Sequence, residues 1–290
     1  MTKKIRKVVI PVAGRGTRFL PATKVIPKEM LPIVDKPLID YAFEEAISAG
    51  IETFIFITGK DKSVITDYFD KSIELEAFLR DKGKHEAIDS IIKILPDSGS
   101  IVSIRQREPL GLGHAVLCAQ DIIGDEPFAV ILPDELLISD PPCLKSMIES
   151  YVSLGGNLIA TMKVPKNETS NYGILDIESI SDDIISVNRM VEKPKTRSAP
   201  SCFANIGRYI LDPVVFSNLK KQQPGVNGEI QLTDAINSFD SSVPFHAKIF
   251  KGQRFDCGSK IGFLEANLAL ALERPDLSDK IRSSILKLLK

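Results

Sequence analysis

The sequence has no tryptophan, only three histidines and four scattered cysteines among 290 residues. The cysteines are Cys118, Cys143, Cys202 and Cys257. They form no CxxC pair, and with so few histidines the sequence has no zinc-ligand pattern. Isolated cysteines in a chain of this size indicate reduced thiols. We therefore expect a cytoplasmic protein.

The sequence also lacks an excess of charge of one sign and a long hydrophobic run. It has 37 basic and 38 acidic residues and a formal net charge of −1. This balance excludes nucleic-acid binding by bulk charge, although it is compatible with a local basic patch. No apolar run approaches ~18 residues, so we expect no membrane span. The first residues lack the apolar core of a signal peptide.

Short apolar runs alternate with amphipathic segments in the first half of the chain. Strands are predicted at residues 6–12, 53–58, 101–106 and 128–132, and helices at 37–49, 62–70, 74–82, 85–95, 113–121 and 142–154. The strands are almost continuously hydrophobic, which is typical of strands buried on both faces. The alternation predicts an α/β fold with a doubly wound, mixed and mostly parallel sheet of Rossmann-like type.

The second half has more strands and less regular connections. Strands are predicted at 158–164, 173–178, 184–192, 203–211 and 245–250, and helices at 212–219, 231–237, 260–273 and 276–289. We find no internal repeat and no low-complexity segment. The second half is therefore expected to extend the same sheet, so that residues 1–290 form a single domain.

A glycine loop follows the first predicted strand, and Ala13, at the junction of strand and loop, is a candidate nucleotide-binding residue. Gly14 and Gly16 would let backbone N–H groups approach a phosphate or a base closely, and Thr17 adds a hydroxyl. A Walker motif is absent, and a dinucleotide GxGxxG fingerprint is broken at Phe19. Taken alone, the GxG string is more typical of a simple strand-to-helix turn with surface charges.

Positive charge accompanies this loop. Arg18 and Lys28 would bind a triphosphate and stabilise the leaving group, and both are candidate catalytic residues. Lys24 is interpreted as a solvated loop charge.

The whole string GRGTRFLPATKVIPKEMLPIVDKPLI carries GxGTR, PKxMLP and KP at definite spacings. It resembles the sugar-1-phosphate nucleotidyltransferases, and within them the bacterial UTP–glucose-1-phosphate uridylyltransferases. The resemblance spans nearly the whole chain, as far as FDCGSKIGF. It implies the nucleotide-diphospho-sugar transferase fold, UTP and glucose 1-phosphate as substrates, release of pyrophosphate, and a homodimer or homotetramer. It also implies a nucleotide-binding half (1–138), a sugar-phosphate-binding half (139–258) and C-terminal helices (259–290).

The string QREPLGLGHA lies between a predicted strand and a predicted helix. Gln106 can offer a donor and an acceptor to a base edge, and Gly111 would allow close backbone approach. The resemblance assigns both to the nucleobase pocket, whereas a glycine turn that opens a helix is the alternative. We expect His114 to pack or hydrogen-bond locally rather than to catalyse.

Two aspartates follow predicted strands in ILPDELL and FDCGSK. The resemblance implies that Asp134 and Asp256 bind Mg²⁺, a hard ion that prefers oxygen ligands. Sequence spacing alone does not establish this, because an isolated aspartate after a strand is usually a turn former or a helix cap. Glu135 is a candidate neighbour of this site.

The strings NYGIL and VEKPK are expected to form the sugar end of the site. The resemblance assigns Glu192 to sugar hydroxyls and Lys193 to the sugar phosphate, where a compact point charge suits the task. Gly173, Asn205 and Gly207 are further candidates for the sugar pocket. An exposed turn at a strand end is the alternative for EKP.

The string GEIQLTD is similar to a helix entry in these enzymes. Thr233 and Asp234 are candidates for the wall of the sugar pocket, although Glu229 and Asp234 are equally suited to cap the helix. Asn227 stands where related thymidylyltransferases often have arginine, which weakens the thymidylyl interpretation.

Two other functions are compatible with the sequence. One is a sugar nucleotidyltransferase with another base or sugar, such as a glucose-1-phosphate thymidylyltransferase, because a single pocket side chain decides whether a methyl group fits. The other is a non-catalytic protein that binds a nucleotide sugar, which the retention of all five charged candidates disfavours. The segment 62–95 and the final 30 residues are candidates for a subunit interface, and helices packed on their own core are the alternative.

Overall fold

The computed structural model describes residues 3–92, 97, 99–223, 228–238 and 243–289. The strands are β1 (Lys7–Pro11), β2 (Pro32–Ile33), β3 (Lys36–Pro37), β4 (Thr53–Thr58), β5 (Ile101–Arg105), β6 (Phe128–Ile131), β7 (Glu135–Ile138), β8 (Asn157–Lys163), β9 (Gly173–Ser181), β10 (Ile184–Glu192), β11 (Phe203–Leu211), β12 (Phe245–Ile249) and β13 (Gln253–Asp256). The helices are α1 (Leu38–Ser48), α2 (Ser63–Asp67), α3 (Ile73–Asp81), α4 (His85–Ile92), α5 (Leu112–Leu117), α6 (Gln120–Ile123), α7 (Cys143–Leu154), α8 (Val215–Lys221), α9 (Leu232–Asn237), α10 (Lys260–Glu273) and α11 (Ser278–Leu288).

The core of the molecule is a sheet with nine strands in the order β5-β4-β1-β6-β11-β8-β12-β10-β9. The neighbours β5, β4, β1 and β6 are parallel, as are β8 and β12. The strands β11 and β10 run antiparallel to their neighbours. The predicted α/β fold with a mixed sheet, most of whose strands point the same way, is confirmed.

Each buried strand contributes side chains to both faces of the sheet. Phe54 and Phe56 of β4 face a core that also contains residues of α1 and α7, whereas Ile55 and Ile57 face a core with residues of α5, α8 and α9. This alternation places helices on both faces. It explains why these strands show continuous hydrophobicity in the sequence.

Two small sheets lie outside this large one. The strands β7 and β13 pair antiparallel, with Asp256 opposite Glu135, and β2 pairs with β3. Neither sheet was predicted. The β7–β13 ribbon pairs the strand that follows β6 with a strand 115 or more positions later. No local sequence pattern predicts such a distant pairing.

Most predicted elements differ from the structure only at their ends. The single helix predicted at 113–121 is wrong, because the structure has two short helices, α5 and α6. The strand predicted at 173–178 extends to Ser181. The end of the helix predicted at 85–95 lies outside the described residues. Among the described helices, none has the length and apolar character needed to span a bilayer.

Candidate active site

The glycine loop bends back on the segment that follows it. Gly16 has a φ of 63°, and its carbonyl accepts a hydrogen bond of 2.6 Å from the Thr23 hydroxyl. A Cβ at Gly16 would lie 3.2 Å from Thr23 Cβ and 3.3 Å from Lys28 Cβ. Glycine is therefore required both by the left-handed backbone and by the close approach. The next residues, Thr17 and Arg18, begin a short 3₁₀ turn and are exposed.

Two adjoining cavities lie at the carboxyl ends of β1, β4 and β6. One, of ≈ 600 Å³, is lined among others by Ala13, Gly14, Gln106, Gly111 and Asp134. The second, of ≈ 700 Å³, shares Ala13, Gly14 and Gln106 with the first. It extends over a group of cations, which are Arg15, Lys24, Lys28, Lys60, Lys62 and Arg107. This position agrees with the general rule that open α/β sheets bind ligands beyond the carboxyl ends of their strands.

Gln106 is fixed by contacts within its own loop. Its Nε2 atom lies 3.2 Å from the carbonyl oxygen of Gly111 and 2.9 Å from His114 Nδ1. The expected local hydrogen bond of His114 is present. With Nε2 engaged in this way, Oε1 is the atom that Gln106 can offer to an N–H group of a base.

Gly111 brings two distant loops together. Its φ is 94°, and a Cβ there would lie 2.8 Å from Glu229 Cβ. On either side, Ile230 N donates to the carbonyl of Leu110 (2.7 Å) and Gly113 N donates to the carbonyl of Ile230 (2.9 Å). The base-side loop is thus closed by the segment before α9.

Four charged side chains converge around Gly258. Lys28 Nζ lies 2.5 Å from Asp134 Oδ2, and Arg18 Nη1 donates to the carbonyl of Gly258 at 3.2 Å. A Cβ on Gly258 would lie 3.0 Å from Asp256 Oδ1, 3.1 Å from Asp134 Oδ2 and 3.3 Å from Arg18 Nη1. Residues 18, 28, 134 and 256, which are far apart in the sequence, therefore share one point in space.

The two charges of the Lys28–Asp134 pair stabilise each other. Burial alone would lower the pKa of Lys28, but Asp134 and Glu29 outweigh burial and the net pKa is raised. Burial alone would raise the pKa of Asp134, but Lys28 outweighs it and the net pKa is lowered. Both groups are therefore charged at neutral pH.

The residues present fit a hard cation that retains part of its water shell. Around Gly258 the protein offers two carboxylates, and the described part of the chain contains no cluster of three or more His, Cys, Asp or Glu side chains able to hold a metal. Mg²⁺ is commonly held by one or two carboxylates together with substrate phosphates and water. Asp134 and Asp256 meet that requirement.

The sugar-side candidates form a neighbouring group. Gly173 pairs with Glu192 across β9 and β10, and a Cβ at Gly173 would lie 3.3 Å from Glu192 Oε2. That oxygen accepts a hydrogen bond of 2.9 Å from Thr233 Oγ1. A cavity of ≈ 540 Å³ lies here, lined by Glu192, Lys193, Glu229 and Asp234 among others. Because Glu229 also lines the cavity with Gly111, the two regions are adjacent.

Lys193 lies in the sugar-side cavity, apart from the group around Gly258. Its side chain is 65% exposed, and its Nζ lies 3.8 Å from Glu192 Oε1. Its backbone has a φ of 44°, and its N–H donates to the carbonyl of Tyr172 at 3.0 Å. The lysine is therefore held at its backbone while its ammonium group is accessible to a ligand.

Asn205 and Gly207 shape the protein behind the carboxylate loop. Asn205 Oδ1 accepts from Gly207 N (3.1 Å), and its Nδ2 donates to Tyr209 Oη (2.7 Å). A Cβ at Gly207 would lie 3.0 Å from Glu135 Cγ and from Leu132 Cβ. The amide of Asn205 is thus used within β11, at the bulge where β11 approaches residues 132–135.

Sequence reasoning missed a buried pair beside the glycine loop. Lys62 Nζ donates to the Val12 carbonyl and to Glu29 Oε2, the latter at 2.9 Å. Glu29 is fully buried, and burial raises its pKa although Lys62 opposes the shift. Lys62 follows β4, so the rule on the carboxyl ends of strands could have identified it.

Lys24, interpreted as a solvated charge, is exposed but also lines the basic cavity. The Asn227 position lies outside the described residues.

Comparisons with known proteins agree with this geometry. The family model described as nucleotidyl transferase matches residues 7–273. A UTP–glucose-1-phosphate uridylyltransferase of Bacillus subtilis strain 168, YngB, is 47% identical to this chain over 281 residues, which are 97% of this chain and 94% of that protein. The structure of a UTP-bound UGPase from Acinetobacter baumannii has a TM-score of 0.90 and 42% identity, and the match covers 98% of this chain and 99% of that one. A UDP-glucose pyrophosphorylase complexed with UDP-glucose has a TM-score of 0.83 and 45% identity, with coverage of 93% and 100%.

Proposed function

The chain belongs to the nucleotidyl transferase family, and we propose on that premise that it makes UDP-glucose and pyrophosphate from UTP and glucose 1-phosphate. Relatives named for this reaction are 45–47% identical over nearly the whole chain. Solved structures of similar proteins contain UTP or UDP-glucose. The proposal therefore covers both the reaction type and the two substrates.

The observation that carries the proposal is the group around Gly258 at the edge of the nucleotide-side cavities. Arg18, Lys28, Asp134 and Asp256 come within a few ångströms of one another there. Two anionic substrates repel by about 4 kcal/mol per unit-charge pair at ~4 Å and an effective dielectric constant of ~20. Fixed cations at this point offset the repulsion.

The base and the sugar would lie on opposite sides of that group. We propose that the uracil lies against Ala13 and Gly14, with its N3–H donating to Gln106 Oε1 and with Gly111 close to the ring. Thr17 and the N–H groups near Gly16 would then contact the phosphates. On the other side, Glu192 would accept from sugar hydroxyls beside Gly173, and the Lys193 ammonium would bind the phosphate of glucose 1-phosphate.

The reaction proposed is an in-line displacement at the α-phosphorus of UTP by a phosphate oxygen of glucose 1-phosphate. That oxygen is already ionised at neutral pH, so the reaction needs no strong general base. Catalysis would depend on positioning and on charge compensation by Arg18, Lys28 and Lys193. Members of this family generally use a divalent metal ion, and we propose Mg²⁺ at Asp134 and Asp256. A bound Mg²⁺ would neutralise phosphate charge.

Release of pyrophosphate tests this function directly. The purified protein is assayed with UTP, dTTP, ATP, CTP and GTP, each crossed with glucose 1-phosphate and other sugar 1-phosphates, in Mg²⁺. The highest kcat/KM is expected for UTP with glucose 1-phosphate. Preference for dTTP would assign the protein to the thymidylyl alternative. Binding of UDP-glucose without turnover of any pair would support the non-catalytic alternative and contradict the proposal.

We also propose that the protein is cytoplasmic and forms a homodimer or homotetramer. The outward face of α10 carries Ile261, Leu264 and Leu268, which are 67%, 57% and 47% exposed. These three apolar side chains lie at helical spacing, and contact with a second copy of the chain would remove them from water. Light scattering coupled to size exclusion measures the molar mass, and a monomer at micromolar concentration would contradict this assembly.

A further inference from the structure

A buried ionic network lies behind the carboxylate pair. Arg254 of β13 forms two hydrogen bonds with the Glu135 carboxylate, from Nε at 2.7 Å and from Nη2 at 2.8 Å. The side chains are only 9% and 15% exposed. Glu135 directly follows Asp134, and Asp256 lies opposite Glu135 in the β7–β13 ribbon. The ion pair therefore ties together the two strands that carry the candidate metal ligands.

The same guanidinium reaches the sugar side through Tyr172. Arg254 Nη1 donates to Tyr172 Oη at 3.2 Å, and its Cζ lies 4.8 Å from the centre of the Tyr172 ring. Tyr172 immediately precedes Gly173, and its carbonyl accepts the Lys193 N–H at 3.0 Å. A continuous path of contacts thus runs from the carboxylates at 134 and 256 to the lysine at 193.

The Lys193 end of this path is in a conformation that needs support. A lysine with a φ of 44° is strained, because a side chain with a Cβ rarely adopts left-handed backbone. The hydrogen bond to the Tyr172 carbonyl is the contact that opposes relaxation of this turn. The position of Tyr172 therefore determines the position of the Lys193 backbone, from which the side chain extends.

We propose that Arg254 and Tyr172 are positioning residues, which fix the distance between the metal-binding carboxylates and the sugar-phosphate lysine. This inference rests on the proposed function and deepens it. The reaction needs a phosphate oxygen of glucose 1-phosphate to approach the α-phosphorus of UTP in line with the leaving pyrophosphate. The carboxylates at one end of this path would bind the metal and UTP phosphates, and Lys193 at the other end would bind the sugar phosphate. Arginine is suited to the task because its planar fork holds the carboxylate and the tyrosine in a fixed mutual geometry, which a lysine does not.

The first test compares Arg254→Lys with Arg274→Lys. Arg274 is a matched control, since it also forms two hydrogen bonds with one carboxylate, that of Asp276, but on the exposed surface. We expect Arg254→Lys to lower kcat/KM for glucose 1-phosphate by about tenfold or more, as is typical when a residue that orients a ligand-binding group is changed. KM for UTP should stay within about twofold, and Arg274→Lys should match the wild type.

A binding measurement without turnover accompanies these kinetics. Calorimetric titration with UDP-glucose alone should show weaker binding to Arg254→Lys, while titration with UTP should be unchanged. Tyr172→Phe keeps the ring beneath the guanidinium and removes only the hydroxyl acceptor, so a smaller loss in the same direction is expected. If Arg254→Lys does not fold, as judged by its melting curve, Tyr172→Phe carries the test.

A double-mutant cycle with Lys193→Ala separates positioning from a general loss of structure. If Arg254 acts through Lys193, adding Arg254→Lys to Lys193→Ala should cost less than about twofold in kcat/KM. A full tenfold loss in both backgrounds, or equal kinetics for Arg254→Lys and wild type, would overturn the proposal. A wild-type protein that releases no pyrophosphate from UTP and glucose 1-phosphate would instead overturn the proposed function.

Discussion

Arg208 and Glu45 form a buried ion pair directly behind the candidate active site. Arg208 donates to both carboxylate oxygens of Glu45, with distances of 2.8 to 3.2 Å, and its Nη1 donates to the Leu132 carbonyl at 3.1 Å. Glu45 also accepts from Leu144 N at 3.0 Å. Such a pair adds little stability compared with apolar packing, but removing one partner is costly. Its visible effect is to fix the backbone two residues before Asp134.

At the residue scale, Asp134→Asn tests the candidate metal site. The amide cannot replace the charge that a hard cation requires, and it also leaves Lys28 without its 2.5 Å partner. We expect kcat to fall and the half-saturating Mg²⁺ concentration to rise, each by about tenfold or more. Initial rates measured across Mg²⁺ concentrations provide the check, with the exposed Asp121→Asn as control. A Mg²⁺ curve identical to that of the wild type would remove Asp134 from the ligand set.

Asp40 is a second residue with a measurable consequence, which concerns stability. It is fully buried in the first turn of α1, and neither carboxylate oxygen makes a hydrogen bond of ordinary geometry, although the Tyr68 hydroxyl lies close by. Burial raises its pKa to about 6, with a further rise from Glu44, while Lys36 and Tyr68 oppose the shift. The unfolded chain has a pKa of about 3.9 at this group. The carboxyl therefore destabilises the folded state increasingly as the pH rises from the unfolded-state pKa to the folded-state pKa.

The sign of this effect defines the experiment on Asp40. The folded state binds the proton more tightly, so the contribution of Asp40 to the free energy of unfolding falls between about pH 4 and pH 6 by roughly 2–3 kcal/mol and stays low above that. Asp40→Asn should raise the melting temperature at pH 8 by a few degrees and raise it by about a third as much near pH 4.5. Asp67→Asn, at an exposed position, is the control. An equal shift at both pH values would contradict the assignment.

At the scale of elements, the two loops around Gly111 and Ile230 close the base side of the site. They meet through the hydrogen bonds of Ile230 N with Leu110 and of Gly113 N with Ile230. Nothing local in either sequence predicts that contact, because the partners are more than 115 positions apart. Gly111 is the only feature of this contact that the sequence shows. Why a glycine is needed there becomes clear only from the opposite loop, because Glu229 and Ile230 leave no room for a side chain.

The contact between these loops predicts an effect of Gly111→Ala on nucleotide binding. The added methyl would lie 2.8 Å from Glu229 Cβ and 3.0 Å from the Ile230 carbonyl, so the loops must separate. We expect KM for UTP to rise by about tenfold, equivalent to ~1.4 kcal/mol. Gly124→Ala is the matched control, because its φ of 64° is also positive and nothing lies within 4 Å of the new Cβ. A KM for UTP in Gly111→Ala equal to that of Gly124→Ala and of the wild type would contradict a role of the loop contact in nucleotide binding.

The sequence allowed the elements with strong local patterns to be predicted, together with the candidate residues that follow them. The strands β1, β4 and β6 are nearly continuous apolar runs, and the loop from Ala13 to Lys28 follows the first of them. The short strands β2, β3 and β7 were missed, and β13 was expected only as a strand end at Asp256, because the pairing of these strands is decided by tertiary contacts rather than by pattern. For the same reason Arg254, which lies in β13 and pairs with Glu135, was not among the predicted site residues.

At the scale of the whole molecule, the two halves of the chain share one sheet and one core on each face. The central strand β6 pairs with β1 from the first half and with β11 from the second. The core that contains Val8 and Phe56 also contains Met147 and Ile206, and the Arg208–Glu45 pair crosses the same boundary. A division near residue 138 would therefore expose an edge of the sheet and both of its faces.

This continuity predicts that the protein unfolds as one unit. Scanning calorimetry should show a single transition, with calorimetric and van't Hoff enthalpies that agree. UTP should shift that entire transition upward, since a ligand of the folded state stabilises everything that unfolds with its site. A fragment of residues 1–138 should give no cooperative transition, because β6 would lose β11 and half of its packing. Two separate transitions, of which UTP moves only one, or a fragment that melts cooperatively, would mean that the nucleotide-binding half is a domain of its own.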